Sequence, residues 1–439
     1  MKLLFITTLN VPINKEHFFT INVIKSLGHY CQSYKDFELE CITLIQSDDN
    51  SEATLRDEPN LSNEYGVNYK TYRYPSFWSS KKQVSSIAEL FKAITPDIIH
   101  SNMIEGIDVR AARLARIPIV LTIHIGGFLC PRGGGNGLLR YDDTICNTGI
   151  CEDCYKCVIR DLPFPKFSLS AYRLFHHTLI GRYFANRKKS VLYFTTLFRT
   201  DWKIKAYYAR IEEYKYAHLI AANSKLCGVL ANHYDKTHIH LLPHGVSPRK
   251  RLKLPDTNGA IKFYILSRFQ YSKGIIDVLK AFKGIPHEKY ELHLIGGGST
   301  SSYADRQYLH KIEKFKRGIN IFSHGWISNE DLESIIRNCH IMIHAAFFHE
   351  IYGIAIAESL SMGRGVLATR CGGAEMQIED GKNGILYEPH SIPALHDAIL
   401  KVLNNKDLIR QFSNAAELPM PIQNYVNHLV ALYHDVSGC

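Results

Sequence analysis

The chain has 439 residues, of which 46% are hydrophobic and 21% charged, with a formal net charge of +10. That excludes a disordered chain and exceeds one ordinary core, so two or three domains are expected. The basic balance suits anionic partners (phosphates, nucleotides, acidic lipids or nucleic acid) without choosing among them, and no apolar run reaches the roughly 18–20 residues that span a bilayer.

Short β-branched or aromatic runs alternate with longer amphipathic ones, the pattern of parallel α/β layers. The apolar start Met1–Leu9 follows a single lysine and lacks a small-residue cleavage site, so it reads as a first strand rather than a signal peptide, and the expected location is cytoplasmic. Strands are predicted at Leu3–Thr7, Leu39–Ile45, Asp97–His100 and Pro118–His124, with helices at Phe19–Leu27 and Val84–Ile94, the latter stopped by Pro96. The Gly- and Cys-rich stretch Gly126–Cys157 has little periodicity. Phe167–Lys205 is basic, aromatic and mostly helical in pattern, and strands return at His218–Ala222 and Ile239–Pro243.

Ser247–Asn258 combines Pro248, Pro255 and a basic run, Arg249–Lys253, followed by Gly259; this composition marks a linker. A second series follows, with strands at Phe263–Ser267, Glu291–Ile295, Ile319–Phe322, His340–His344 and Val366–Thr369 and helices such as Ile275–Phe282 and Asn329–Arg337. Residues 1–246 are therefore read as one Rossmann-like domain with a Cys-rich insertion at about 126–160. Residues 247–420 form a second such domain, and 421–439 a helix packing back on the first. Ligands of doubly wound sheets bind beyond the carboxyl ends of the strands.

One such strand end leads into Glu350, after which Gly353 and Ile354 open an apolar helix bearing Glu358. Free N–H groups and the dipole at a helix start favour a phosphate, and a carboxylate in the next turn can accept ribose hydroxyls. A buried helix with two incidental glutamates is the bland alternative, but buried carboxylates need partners. Upstream, Arg268 and Lys273 flank a turn between a predicted strand and helix, which by itself reads as a solvated basic turn. Gly296, Gly297 and Gly298 close the next strand, although a tight turn alone explains three glycines.

The spacing of Glu350 and Glu358, with seven residues between them including Tyr352 and Gly353, resembles the Glu-x7-Glu motif of retaining glycosyltransferases of the GT-B fold, the large family 4. Gly372–Glu375 resembles that family's paired-glycine loop, with Ala374 where proline is common, and Asp380–Gly384 its Asp-Gly-x-x-Gly strand entry. The resemblance covers most of Asp97–Pro389 and is strongest from Tyr264 onward. It implies two Rossmann-like domains facing a central cleft, a nucleotide-sugar donor (UDP- or GDP-sugar) held by Arg268, Lys273, Gly297, Gly353, Ile354 and Glu358, and catalytic roles for Arg268, Lys273 and Glu350. It also implies that His124 contacts a hydroxyl of the transferred sugar. The loop Thr8–Asn14 departs from the family's paired-glycine loop, and His244 replaces its usual asparagine.

Five cysteines lie between Cys130 and Cys157. Cys-x2-Cys spacing makes Cys130, Cys146, Cys154 and Cys157, with Cys151 as substitute, candidate ligands of a structural zinc; reduced, unliganded thiols are the alternative. The basic and aromatic residues of 182–210 suit a membrane interface, where a lipid-linked acceptor would dock at the inner face; a solvated helical face is the plainer reading. No Asp-x-Asp occurs, so no catalytic metal bound in that way is expected. The reading is a retaining transferase passing sugar to a glycan or lipid-linked acceptor in cell-surface polysaccharide or lipopolysaccharide assembly, with no nucleic-acid partner. A nucleotide-sugar isomerase of the same fold and a zinc-containing nucleic-acid-binding protein are the competing readings.

Overall fold

The computed structural model describes residues 1–7, 18–34, 36–48, 52–102, 106–124, 128–132, 137–160, 168–172, 178, 196–301 and 303–438. The chain divides into two compact units: residues 1–131, 148–247 and 421–439 form one, and residues 132–147 and 248–420 the other.

The first unit is built on an eight-stranded sheet, β1 (Lys2–Thr7), β2 (Glu38–Ser47), β3 (Thr54–Asp57), β4 (Asn68–Pro75), β5 (Ile98–Ser101), β6 (Ile119–Thr122), β7 (His218–Ala221) and β8 (Ile239–Leu241), in the order β3-β4-β2-β1-β5-β6-β7-β8. All pairings are parallel except that of the edge strand β3 with β4. Parallel strands are covered on both faces and need continuous apolar runs; Leu3 to Ile6 of β1 are all buried. The helix Ile422–Ser437 belongs to this unit and buries Tyr425, Val426, Leu429, Val430 and Tyr433. Its start is tied to the end of the β8 segment by the Ile422 N–H donating to the Val246 carbonyl at 3.0 Å. Within Phe167–Lys205, residues 168–172 and the start of the helix Thr196–Tyr214 are helical; the intervening residues 173–177 and 179–195, and the loop Thr8–Asn14, lie outside the described residues.

The second unit carries a six-stranded, all-parallel sheet, β9 (Ile261–Leu266), β10 (Tyr290–Ile295), β11 (Ile321–Gly325), β12 (Ile341–His344), β13 (Gly365–Thr369) and β14 (Gly384–Tyr387), ordered β11-β10-β9-β12-β13-β14. Alternate side chains enter cores on opposite faces. Phe263, Ile341, Ile343 and Leu367 lie in one, and Tyr264, Met342, Val366 and Ala368 in the other.

Residues Arg132–Asn147 group with this unit, whereas the sequence pattern places the whole Cys-rich stretch in the first domain. An antiparallel bridge, Leu139 to Ile145, closes the segment. Leu139 clusters with Ala346, Phe347 and Phe348, and the Tyr271 hydroxyl donates to Asp143 at 3.0 Å. Apolar contact, not sequence position, decides its membership.

The segment after residue 247 is held to the second unit by Arg364, which is fully buried. Its guanidinium donates to the carbonyls of Leu252, Lys253, Ile336, Arg337, Met362 and Gly363 at 3.1–3.4 Å. A buried cation needs such satisfaction of its donors.

Candidate active site

Four segments of the second unit converge on one helix entrance. β9 runs into the turn Tyr271–Lys273, which Gly274 terminates in the left-handed region with φ 68°. A Cβ there would fall 2.1 Å from the Ala345 carbonyl oxygen, so only glycine lets this turn lie against the end of β12. The Phe347 N–H donates to the Ser272 carbonyl at 3.0 Å and fixes the same contact from the other side.

Lys273 donates its ammonium to Glu350 Oε2 and lies 4.7 Å above the Phe348 ring. His344, the last residue of β12, brings Nε2 to 3.4 Å from the same carboxylate oxygen. Burial alone would neutralise His344. Hydrogen bonds to Cys371 and Glu350 more than offset it, and its pKa is pushed up to about 9. For Glu350, burial works against the charge, but Lys273 and then His344 hold the carboxyl well below the usual range. The group is thus one carboxylate between two cations.

The Glu350 backbone is fixed as firmly as its side chain. Its N–H donates to the Cys371 carbonyl and its carbonyl accepts from the Gly373 N–H, both at 2.9 Å. Glu375 in turn accepts from the Gly372 N–H at 2.9 Å. The paired-glycine loop is therefore a floor beneath Glu350.

Gly353, at φ 84°, caps the helix Ile354–Ser361. Gly353 and Ile354 are only half-buried, and first-turn N–H groups have no intrahelical acceptor. Glu358, one and a half turns in, is paired with Arg249, whose Nη2 lies 2.6 Å and Nε 3.2 Å from Oε1. Arg268 is exposed, and among the described residues its guanidinium has no hydrogen-bond or ion-pair partner. Gly297 lies under Trp326, where a Cβ would meet the indole nitrogen at 2.6 Å; the Phe269 N–H donates to the Gly297 carbonyl at 2.7 Å. Four cations, Arg249, Arg268, Lys273 and protonated His344, stand against three carboxylates, Glu350, Glu358 and Glu375. The surplus of positive charge and the helix start together suit a diphosphate.

The sequence pattern identifies Lys273, Glu350, Gly353 and Glu358 as candidates, and the structure brings them to this entrance. The pattern does not reveal His344, which reads there as the end of a buried strand, or Arg249, which reads as part of a basic linker.

His124 belongs to the first unit, just past β6. Its Nε2 is hydrogen-bonded to Asn102 Oδ1, and its ring lies 5.3 Å from that of His244. His244 is buried and driven well below the ordinary histidine pKa by burial and then by His124. His100, one strand away at β5, is bonded to Tyr433 and, at 2.8 Å, to Thr122, and burial lowers its pKa to about 3.

Among the described residues, no group of three or more His, Cys, Asp or Glu side chains is arranged to hold a metal. Cys146 groups with the second unit through its segment, while Cys130, Cys154 and Cys157 group with the first. The close pair is instead Cys151 and Cys154, with sulfurs 4.0 Å apart and the Cys151 N–H donating to Cys154 Sγ at 3.2 Å. Burial, then the neighbouring thiols, raise the Cys154 pKa.

No described helix is long and apolar enough to cross a membrane. Of the basic-aromatic stretch 182–210, residues 182–195 lie outside the described residues. In the helix Thr196–Tyr214, Trp202 and Tyr208 are exposed, and Arg210 packs 4.7 Å from the Tyr207 ring.

A family model described as "Glycosyl transferases group 1" matches residues 247–418, the segment that carries this entire entrance. Family model, curated relatives and solved structures agree on one class, an enzyme of the glycosyltransferase type. The two parallel-sheet α/β units resemble GT-B glycosyltransferase structures.

Among individual proteins, the chain is 24% identical over 272 residues to an uncharacterized glycosyltransferase of Methanocaldococcus jannaschii, covering 56% of this chain and 68% of the relative. It is 25% identical over 195 residues to alpha-D-kanosaminyltransferase of Streptomyces kanamyceticus, covering 43% and 48%. The crystal structure of Anabaena HepE in complex with UDP superposes with a TM-score of 0.66 at 14% identity, over 99% of this chain and 100% of that one.

Proposed function

We propose that this protein is a retaining glycosyltransferase of family 4 that uses a nucleotide-sugar donor. The carrying observation is the helix entrance itself. Lys273 and charged His344 neutralise Glu350 at its mouth, and Glu358 lies within the same helix, held by Arg249. The donor diphosphate would lie against the Gly353–Ile354 helix start, with Arg268 and Lys273 as counter-charges. Glu358 would accept ribose hydroxyls, and the backbone near Gly297 would lie beside the nucleotide. HepE, crystallised with UDP, supports a UDP-sugar over a GDP-sugar.

The reaction breaks the bond between the anomeric carbon and the diphosphate oxygen while the acceptor hydroxyl bonds to the same face of that carbon. The acceptor proton passes to the departing phosphate oxygen, so configuration is retained and no protein nucleophile is required. Glu350 keeps Lys273 oriented toward the developing charge, and fixed cations stabilise the leaving group without reorganising. With no Asp-x-Asp in the sequence, these side chains take the role that a divalent metal has elsewhere. His124, held by Asn102, is the first unit's candidate for a sugar hydroxyl. A glycan or lipid-linked acceptor of a cell-surface polysaccharide or lipopolysaccharide fits the exposed aromatic and basic residues of the helix Thr196–Tyr214.

The test is thermal stabilisation of the purified protein by UDP-, GDP-, ADP- and CDP-sugars, with Glu358→Ala alongside. A donor present at about 100 times its dissociation constant should add roughly 2.7 kcal/mol. A rise with one base class, reduced by the substitution, is expected. No rise with any donor at saturating concentration sinks the proposal.

A further inference from the structure

We infer that Arg249 is a positioning residue for Glu358 and, through it, sets the preference of the donor site for ribonucleotides. The inference rests on the reading of Glu358 as the ribose-binding carboxylate.

Arg249 comes from the linker, not from a strand end or helix start. Its backbone is stapled to the Glu358 helix: the Arg249 N–H donates to Ser361 Oγ at 2.8 Å, and Ser361 Oγ donates to the Arg249 carbonyl at 3.2 Å. Glu358 and Ser361 are three residues apart on a helix and share a face, so backbone and side chain of Arg249 grip the same strip. From that fixed base both guanidinium nitrogens converge on one oxygen, Oε1. Among the described residues, Oε2 accepts no hydrogen bond.

A carboxylate offers about four lone-pair positions. Arg249 uses those of one oxygen, fixes the side-chain rotamer and leaves the other oxygen to a ligand. The pair is mostly buried, with 23% of the arginine and 12% of the glutamate side chain exposed, so the fork geometry is rigid and the glutamate loses little ordering entropy when a hydroxyl arrives. Arg249 also cancels a negative charge that would otherwise repel a bound diphosphate. A lysine could supply the charge but not the two-nitrogen fork.

The test is calorimetric titration of the full chain with UDP and GDP, each beside its 2′,3′-dideoxy analogue. It uses wild type, Arg249→Gln, Arg249→Lys and Glu358→Gln, with unfolding midpoints checked in parallel. The Ser361 staple uses only the backbone of Arg249 and survives both arginine substitutions. Wild type should prefer the ribo form by about tenfold or more, the scale of one or two hydrogen bonds to a charged group. Arg249→Gln should bring that ratio to within about threefold of unity, as Glu358→Gln does, while the lost positive charge weakens binding of the dideoxy form as well. Arg249→Lys should fall between. A wild-type ratio retained in Arg249→Gln overturns the positioning role and leaves the ribose reading intact. Tight binding without ribo preference in wild type overturns both. No binding of either nucleotide overturns the transferase reading beneath them. Should Arg249→Gln fail to fold, an unchanged ratio in Arg249→Lys overturns the positioning role in its place.

Discussion

The two units place histidines at equivalent points, the carboxyl ends of parallel strands, and hold them in opposite states. In the first unit His100 and His244 are buried, and burial and then His124 drive both toward the uncharged imidazole. In the second unit His344 is as deeply placed, yet its contacts with Cys371 and Glu350 outweigh burial and keep it charged, with a pKa of about 9. Burial by itself does not set the charge of a histidine. Acceptors within reach, here Cys371 and Glu350, reverse the sign. A neutral imidazole suits exchange of hydrogen bonds with hydroxyls, whereas an imidazolium beside a lysine suits phosphate.

The contrast can be broken at Glu350. Glu350→Gln keeps the shape but leaves Lys273 and His344 as two uncompensated cations in a mostly buried site. A loss of about 3 kcal/mol in urea unfolding is expected, and an NMR titration should show His344 moving toward the neutral state of His100. Unchanged stability would mean that the triad is not a coupled unit.

A similar effect should follow pH. His344 has its pKa raised to about 9 from an unfolded value near 6.5, so its stabilisation is complete below about pH 6.5 and is lost as pH rises through 9. Glu350 is depressed, so its contribution is present above the ordinary carboxylate range and lost on acidification. The stability difference between wild type and His344→Asn should reach roughly 3 kcal/mol near neutrality and close above pH 9. A gap that widens with alkali would contradict the assignment.

The smallest effect sharpens the neutral side. Tyr433→Phe removes the hydroxyl bonded to His100 Nδ1 and leaves a buried ring nitrogen unpaired, at a cost of about 1–2 kcal/mol. Thermal unfolding would show it. A null result would indicate that His100 relies on Thr122 alone.

Much of this was legible in the residues. The alternating apolar runs locate most strands within two or three positions, because strands buried on both faces must be continuously apolar. β4 escaped because Asn68–Pro75 mixes Lys70 and Arg73 with tyrosines and resembles a surface segment, although Tyr69, Tyr72 and Tyr74 are buried. Glu350 and Glu358 stood out as carboxylates on apolar ground. Their partners did not, since pairing His344 with Glu350 depends on how the loop after β12 folds back, and pairing Arg249 with Glu358 spans 109 residues.

The buried Arg364 has a practical meaning for dissecting the molecule. Two of its six carbonyl acceptors, Leu252 and Lys253, are supplied by a stretch that composition alone would discard as a tether. Any excised second half must therefore start ahead of Arg249. Trimming it back to the first residue of β9 would strip acceptors from a cation sealed in apolar surroundings, and the fragment's poor behaviour could be mistaken for a dependence on its missing neighbour.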